Sequence, residues 1–358
     1  MQGQSPVASQ GREVVGDEDA VETEAPSSKG TEDPASGRAV VLGGTGFLGA
    51  EIARALLKQG DEVVVVARKA PTAQTREHLG DVTVMPGDVD DAPFLESALA
   101  DADRVVYAVG CPFPAESNLD PVGDVEQTLP NLLRVLQAMR RRPGRRFTFI
   151  SSGGAVYGNP RRLPVTEESR CNPLTSYGIM KLASEHYVEL YRDLYGVDGH
   201  VVRVSNAYGP TQVPGRGQGV VAAFLDAARR GDVVRVYGDG SIVRDYVHAM
   251  DVASAVAALA RLADAPPVCN IGSGVGHSVS DVLDLVEVVT GRSLPVERLA
   301  DRSFDVRSVV LDVTRLVSVV DWRPRHLRDG ISDTWAALTA SRHHEPAAAR
   351  PRDHRGGR

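Results

Sequence analysis

The chain has 358 residues, 42% of them hydrophobic, and a formal net charge of −7. This length allows one large domain or two smaller domains that share a cleft. The negative charge argues against a nucleic-acid partner, which would favour a basic face. No segment approaches the ~20 apolar residues of a membrane-spanning helix. The N-terminus shows no basic stretch followed by an apolar one, so no secretory signal is expected.

Both ends of the sequence have the composition of loose tails. Residues 1–37 hold eight acidic residues against two basic ones and have no apolar period. Residues from about 342 to 358 mix Arg, His, Ala, Pro and Gly. Segments of this kind bury too little apolar surface to fold, so both are predicted to be disordered.

Three cysteines, Cys111, Cys171 and Cys269, are widely spaced along the chain and odd in number. They show no zinc-binding spacing, so no metal site is expected. Their pattern predicts reduced thiols in a cytoplasmic protein.

From Arg38 the sequence alternates short β-branched runs with longer amphipathic stretches. The valine run at 63–66 fits a strand buried on both faces, which is typical of a parallel sheet with helical crossovers. The predicted fold class is therefore α/β, a Rossmann-type doubly wound parallel sheet. In chain order the predicted strands are 38–42, 62–67, 82–85, 104–109, 146–151 and 200–205, and the predicted helices are 46–59, 121–140 and 175–195.

Beyond Asn206 the loops lengthen and become rich in Gly and Pro. We predict a dinucleotide-binding domain at 38–205 and a smaller α/β substrate-binding part at 206–341, interleaved with the sheet. Open α/β folds bind ligands at the carboxyl edge of the sheet, so the smaller part should lie there. Its predicted elements are helices at 219–230, 251–262 and 278–290 and short strands near Val234 and Val268.

A glycine-rich turn follows the first predicted strand. Gly43, Gly46 and Gly49, with Phe47 and Leu48 between them, open the first helix. Glycine at these positions permits a tight turn, close approach of a pyrophosphate and close helix–strand packing. The helix N-terminus adds partial positive charge toward phosphates. Glycine triplets are common by chance in a chain with 35 glycines, but their position between a strand and a helix predicts a dinucleotide site.

The end of the second strand bears on the choice between NAD and NADP. An acid there would bind the ribose 2′-hydroxyl, but the sequence reads Val66-Ala67-Arg68-Lys69. Arg68 suits a 2′-phosphate and so favours NADP, although an exposed basic loop would look the same and NAD stays open.

Gly87-Asp88-Val89 follows the third strand. Asp88 is placed to accept a hydrogen bond from an adenine amino group, with Val89 packed beside the base. An ordinary turn acid is the alternative reading of Asp88.

Tyr177 and Lys181 lie four residues apart on one face of a predicted helix. A phenol with a pKa near ~10 is a poor base at neutral pH. An ammonium one turn away favours the phenolate and can also orient a nicotinamide ribose. The pair alone is a weak pattern, and its value comes from its position after a strand that ends in Ser151-Ser152.

These strings together resemble the extended short-chain dehydrogenases/reductases of the nucleotide-sugar epimerase/dehydratase type. The resemblance spans about residues 38–330. It is carried by GGTGFLG at 43–49, SSGGAVYG at 151–158, SYGIMK at 176–181, VSNAYGP at 204–210 and GDGSIVRDYVH at 238–248.

The resemblance implies specific roles. Tyr177 would exchange the proton of a sugar hydroxyl, usually at C4, while a nicotinamide exchanges hydride with that carbon. Asn206 would contact the sugar nucleotide, with capping of a turn as its alternative role. Arg244 and Arg302 would clamp the diphosphate, and Arg302, in the weaker match, also reads as a solvated arginine. The helices at 121–140 and 174–195 would pair into a four-helix homodimer interface.

Two positions depart from the family pattern. The residue four before Tyr157 is usually Ser or Thr, but here it is Gly153. Ser152 or Ser151 then supplies the catalytic hydroxyl, or the site has none; we take Ser152 as the candidate. The second departure is Arg68, because an epimerase retains its cofactor, whereas a phosphate-preferring site suits an enzyme that consumes NADPH.

The first functional hypothesis is therefore a nucleotide-sugar 4-epimerase. The alternative is an NADPH-dependent reductase of an NDP-4-keto-(deoxy)hexose, in which the same residues perform one hydride transfer. A 4,6-dehydratase fits less well, since SSGGAVYG lacks an acidic pair. A non-catalytic binding protein on this fold would not need the Tyr177–Lys181 pair.

Overall fold

The computed structural model describes residues 36–110, 113–213, 219–301 and 306–340. Arg302, Cys111 and nearly all of the two predicted tails lie outside these ranges.

The elements of the described residues begin and end as follows. The strands are β1 Arg38–Leu42, β2 Glu62–Ala67, β3 Thr83–Pro86, β4 Arg104–Tyr107, β5 Arg146–Ser152, β6 Asp198–Val204, β7 Asn206–Tyr208, β8 Val234–Tyr237, β9 Val243–His248, β10 Val268–Ile271, β11 Gly276–Ser278, β12 Val296–Leu299 and β13 Ser308–Val309. The helices are α1 Phe47–Lys58, α2 Ala73–Leu79, α3 Ala92–Ala98, α4 Pro114–Leu119, α5 Pro121–Arg140, α6 Gly153–Val156, α7 Ser176–Tyr195, α8 Val220–Arg230, α9 Ala249–Arg261, α10 Val279–Thr290, α11 Thr314–Val319 and α12 Leu327–Ala340.

A parallel sheet forms the centre of the molecule. Within the described residues it has seven strands in the order β10-β6-β5-β4-β1-β2-β3. The order reverses between β1 and β4, which is the crevice where doubly wound folds bind dinucleotides. The predicted fold class is confirmed.

The valine-rich strands are buried on both faces because helices cover each side. Val41 and Val65 face a core shared with α1, α9 and α11. Val40 and Val64, one residue earlier in each strand, face a second core shared with α3, α5 and α7. The strands are continuously apolar because the sheet lies between two layers of helices.

The chain leaves the large sheet after β6 and later returns to it. β10 pairs in parallel with β6, with Val268 opposite Val201. Helix α9 packs against α1, and its many small residues allow close contact. The interleaving places later elements in the layers of the first domain, while the boundaries 38–205 and 206–341 stay a prediction.

A smaller core lies beyond the carboxyl edge of the sheet. It joins α8, α10 and α12 to residues of β7, β8 and β9, including Phe224, Tyr246 and Ile331. Strand β9 pairs with β7, β11 and β13, and β8 pairs with β12.

The elements predicted at 38–42, 62–67 and 121–140 match the observed bounds, and the other predicted ranges differ by one or two residues at an end. The prediction missed short elements of three to seven residues, notably α2, α3, β7, β9 and β12, because so few residues show too little period. It also missed the 14-residue helix α12. Across the described ranges, no helix is both long enough and apolar enough to cross a membrane. Cytoplasmic location stays a prediction.

Candidate active site

Two glycines of the first turn are required by the protein's own backbone. Gly43 has φ +81°, and a Cβ there would lie 2.6 Å from the carbonyl oxygen of Ala108. A Cβ on Gly49 would lie 2.3 Å from the carbonyl oxygen of Gly43. The Gly43 N–H donates to the Val66 carbonyl at 2.8 Å. These contacts close the turn tightly over the ends of β1, β2 and β4.

Gly46 differs from Gly43 and Gly49, because there is more space beside its Cα. Among the described residues, a Cβ there would meet only the Gly43 carbonyl oxygen, at 3.2 Å. Gly46 is exposed and caps α1 without a side-chain hydrogen bond. Phe47 and Leu48 follow in the first helical turn, where backbone N–H groups have no intrahelical partner. The open position fits a pyrophosphate of the predicted cofactor.

The other predicted cofactor residues lie at the ends of the next two strands. The Gly87 N–H donates to the Ala67 carbonyl at 3.0 Å, which brings the turn with Asp88 beside Arg68. Arg68 is exposed and makes no ion pair with another described residue. Asp88 is half-buried, and Val89 packs into the core below it. Gly43, Arg68 and Asp88 therefore lie at three adjacent strand ends.

Tyr177 and Lys181 lie in the first two turns of α7. Thr175 starts the helix by accepting a hydrogen bond from the Gly178 N–H at 3.1 Å. The Lys181 Nζ lies 5.9 Å from the centroid of the Tyr177 ring and donates to the Ile150 carbonyl at 2.9 Å. Lys181 is buried and Tyr177 is half-buried. The ammonium and the phenol are thus held together near the carboxyl end of β5.

Gly178 lets α7 approach the turn that follows β5. A Cβ on Gly178 would lie 2.9 Å from the carbonyl oxygen of Ala155 and equally near Pro173. Any larger residue would push α7 away from α6. The contact brings the helix of Tyr177 against the turn that begins at Ser152.

The three residues at the end of β5 have different environments. Ser151 is buried, and its hydroxyl donates to the Glu185 carboxylate. Ser152 is half-buried and caps α6 without a side-chain hydrogen bond. A Cβ on Gly153 would lie 2.7 Å from the Leu311 Cδ1. Leu311 thus closes the position where the family usually has a hydroxyl, while the Ser152 hydroxyl is not used in capping.

Asn206 lies close to the same turn. A Cβ on Gly154 would lie 3.1 Å from the Asn206 Oδ1, so this side chain extends over the residues after Ser152. Asn206 pairs with Tyr246 in the β7–β9 ladder. Arg244 lies two residues before Tyr246, is half-buried and donates to its neighbour's carbonyl, that of Val243, at 2.9 Å.

The structure brings Ser152, Tyr177, Lys181 and Asn206 to one edge of the sheet. It places Arg244 farther along the neighbouring strand β9, and Arg302 lies outside the described residues.

The sequence profile of the NAD dependent epimerase/dehydratase family matches residues 39–272. This chain belongs to that family.

Similar proteins agree with the assignment. The chain is 30% identical over 303 residues to the UDP-glucose 4-epimerase of Mycolicibacterium smegmatis, covering 83% of this chain and 97% of the relative. A crystal structure of Thermus thermophilus UDP-glucose 4-epimerase with NAD has a TM-score of 0.78 and 32% identity, covering 85% of this chain and 99% of the other. The Thermotoga maritima UDP-glucose 4-epimerase with UDP-glucose has a TM-score of 0.79 and 30% identity, with the same coverage. The family is one of enzymes.

Sequence reasoning missed two buried carboxylates of this family member. Asp124 on α5 accepts hydrogen bonds from Ser117, Thr128 and Ser176, the residue before Tyr177. Glu185 pairs with Arg203 and accepts from Ser151. The spacing of Glu185, four residues after Lys181, places it on the helix face of Tyr177 and could have indicated it. Asp124 carries no such signal.

A third buried carboxyl group, that of Asp245, holds Leu311 in place. Asp245 on β9 accepts from the Leu311 N–H at 3.1 Å and from the Ser273 N–H at 2.6 Å. Burial raises the pKa of Asp245, and the hydrogen bonds from Ser273 and Leu311 oppose that rise. Asp245, the residue after Arg244, thus determines the position of Leu311 and so of the side chain that packs against Gly153.

Proposed function

We propose that this protein is a nucleotide-sugar 4-epimerase. The observation that carries the proposal is the Lys181 ammonium beside the Tyr177 ring, held by Ile150 at the carboxyl end of β5. The UDP-glucose 4-epimerases among its relatives support the same activity, with a UDP-sugar as the first substrate to test.

The cofactor of this proposal is a nicotinamide dinucleotide. Gly46 and the first turn of α1 would hold its pyrophosphate, with Arg68 near the adenosine ribose and Asp88 and Val89 near the adenine. When bound, the nicotinamide would accept a hydride from the sugar C4 and return it.

Tyr177 acts as the proton carrier. It takes the proton of the sugar 4-hydroxyl as that carbon is oxidised and returns it to the same oxygen when the carbon is reduced from the opposite face. Lys181 stabilises the phenolate by its positive charge, and its bond to Ile150 fixes the ammonium in place. Because both residues lie on one helix, their separation does not depend on loop movement.

Ser152 would supply the hydroxyl that hydrogen-bonds the reacting oxygen. Leu311 occupies the space next to Gly153, and the Ser151 hydroxyl is bound to Glu185. Ser152 has neither constraint. Asn206 would contact the sugar nucleotide, and Arg244 and Arg302 its diphosphate.

The activity can be tested with purified protein. Conversion of UDP-galactose to UDP-glucose, with cofactor absorbance retained by the protein without added nucleotide, is the expected result. Tyr177→Phe should abolish conversion while the protein still folds and binds cofactor. Full activity of Tyr177→Phe would contradict the proposed mechanism.

A ketoreductase remains the second candidate, because Arg68 favours a phosphate-bearing cofactor that is consumed. Steady NADPH oxidation in the presence of an NDP-4-keto-hexose, without any epimerase activity, would support the reductase. The relatives named as epimerases favour the first candidate.

The exposed Arg68 favours NADP over NAD. Loss of a charge-assisted hydrogen bond should raise the Kd for NADP about 10- to 100-fold in Arg68→Ser, with the Kd for NAD nearly unchanged. Lys58→Ser, at the far end of α1, is the matched control. Tighter binding of NAD than NADP by the unmodified protein would overturn the preference.

We also propose a homodimer built on α5 and α7, which pack against each other. Val122 and Val125 on α5 and Ile179, Leu190 and Leu194 on α7 are exposed apolar residues. The spacing on α7 places its three residues on one helix face. A second copy presenting the same two helices would cover both stripes, as the family resemblance implies.

A further inference from the structure

We propose that Ser151 and Glu185 form a positioning pair that fixes the distance between Ser152 and Tyr177. The proposal rests on the proposed function, because it assigns these two residues to the catalytic geometry of the same site. In this proposal neither Ser151 nor Glu185 contacts the substrate.

The pair joins the catalytic helix to the last residues of β5. The Lys181 Nζ donates to the carbonyl of Ile150, and one turn later the Glu185 carboxylate accepts from the hydroxyl of Ser151. Two side chains of α7 thus hold two consecutive residues of one strand. Ser152 is the next residue of that strand, so its position relative to Tyr177 depends on both contacts.

Glu185 is itself held rigidly from the other side. Arg203 on β6 donates to both of its carboxylate oxygens, to Oε2 from Nη2 at 2.6 Å and to Oε1 from Nε at 3.2 Å. Both residues are buried. Burial would lower the pKa of Arg203, but Glu185 outweighs it and holds that pKa above its ordinary value. The Arg203 guanidinium therefore stays charged beside the Glu185 carboxylate group.

The hydrogen bonds continue from β5 and β6 to the neighbouring strand β10. Arg203 donates to the Tyr157 hydroxyl at 3.0 Å, which donates to the Asn270 Oδ1 at 2.8 Å on β10. Burial raises the pKa of Tyr157 to about 12, so its phenol stays protonated and can donate. Glu185 is thus part of a continuous buried hydrogen-bond network, and this network holds Ser151 in place more rigidly than a single surface contact could.

Removing the Ser151 hydroxyl is the smallest change that breaks the pair. In Ser151→Ala, kcat should fall about tenfold while KM stays close to that of the unmodified protein, because the binding contacts remain. Ser151→Thr keeps a hydroxyl and should recover most of kcat. Ser184→Ala is the matched control, since its buried hydroxyl donates to the Met180 carbonyl of the same helix.

A direct catalytic role of Ser151 makes a different prediction in a double-mutant cycle with Glu185→Gln. Positioning through Glu185 predicts strongly non-additive losses of kcat, whereas direct action on the substrate predicts additive ones. Unchanged kcat in Ser151→Ala, or an equal loss in Ser184→Ala, would overturn the proposal.

Amide hydrogen exchange separates failure of this proposal from failure of the proposed function. If the unmodified protein shows no epimerase activity, the proposed function fails. The positioning role still predicts faster exchange at 150–155 and 176–182 in Ser151→Ala and not in Ser184→Ala. Unchanged exchange in both variants would refute it.

Discussion

Leu311 fills the space that a side chain at residue 153 would need. A Cβ at Gly153 would lie 2.7 Å from the Leu311 Cδ1 and 3.2 Å from the Arg203 carbonyl oxygen. Leu311 is fully buried and held by Asp245, so it has little freedom to withdraw. The hydroxyl expected at residue 153 is therefore excluded by a residue far away in sequence.

Gly153→Ser should lower stability by ~1–3 kcal/mol through overpacking and should not raise activity. Combining it with Leu311→Ala should cost less than the sum of the two single changes, because the cavity accepts the new side chain. Urea denaturation of the four proteins measures this. Gly110→Ser, whose Cβ would meet no atom of the described residues within 4 Å, should be nearly neutral. Additive losses would mean that the two residues do not compete.

Gly46 and Gly49 should respond differently to the same substitution. Gly49→Ala places a Cβ 2.3 Å from backbone and should cost ~2–3 kcal/mol of stability. Gly46→Ala should change stability by less than about 1 kcal/mol, but raise the cofactor Kd at least about tenfold by blocking the pyrophosphate. Thermal unfolding and cofactor titration of both variants test the distinction. Unimpaired cofactor binding by Gly46→Ala would place the dinucleotide elsewhere.

The buried His200 should make the protein less stable in mild acid. Burial, with a smaller effect of Arg146, lowers the pKa of His200 from 6.5 to about 4. Between these values the unfolded chain binds a proton that the folded chain does not, so stability is retained above pH 6.5 and lost as pH falls toward 4. The loss from this group reaches about 3 kcal/mol.

His200→Gln should flatten the decline of unfolding free energy between pH 7 and 4. Urea denaturation at several pH values measures the slope. His186, which is exposed, provides the control, and His186→Gln should leave the slope unchanged. Equal slopes in the unmodified protein and His200→Gln would show that another group causes the decline.

Leu194→Glu should weaken the proposed dimer. Two added charges at a two-fold interface should raise the dimer dissociation constant at least about a hundredfold. Light scattering coupled to size-exclusion chromatography should then give half the mass of the unmodified protein at the same concentration. Val288→Glu is the control, because Val288 on α10 is 63% exposed and Leu194 is 65% exposed. An unmodified protein that is already monomeric would rule out the dimer.

The sequence alone was enough to predict the fold, and its local signals indicated the residues of the candidate site. Valine runs, the glycine turn and the Tyr177–Lys181 spacing are local signals, and each depends on residues within one or two turns or strands. The contacts of Leu311 with Gly153, and of Glu185 with Arg203, join residues far apart in sequence. No periodicity or spacing indicates which distant side chain fills a given space, so the exclusion at residue 153 could not be predicted.

The return of β10 to the large sheet has a mechanical consequence. A hinge near residue 205 would have to separate β10 from β6 and α9 from α1, and so break buried backbone hydrogen bonds along a whole strand. Opening of the two predicted parts about such a hinge is therefore disfavoured.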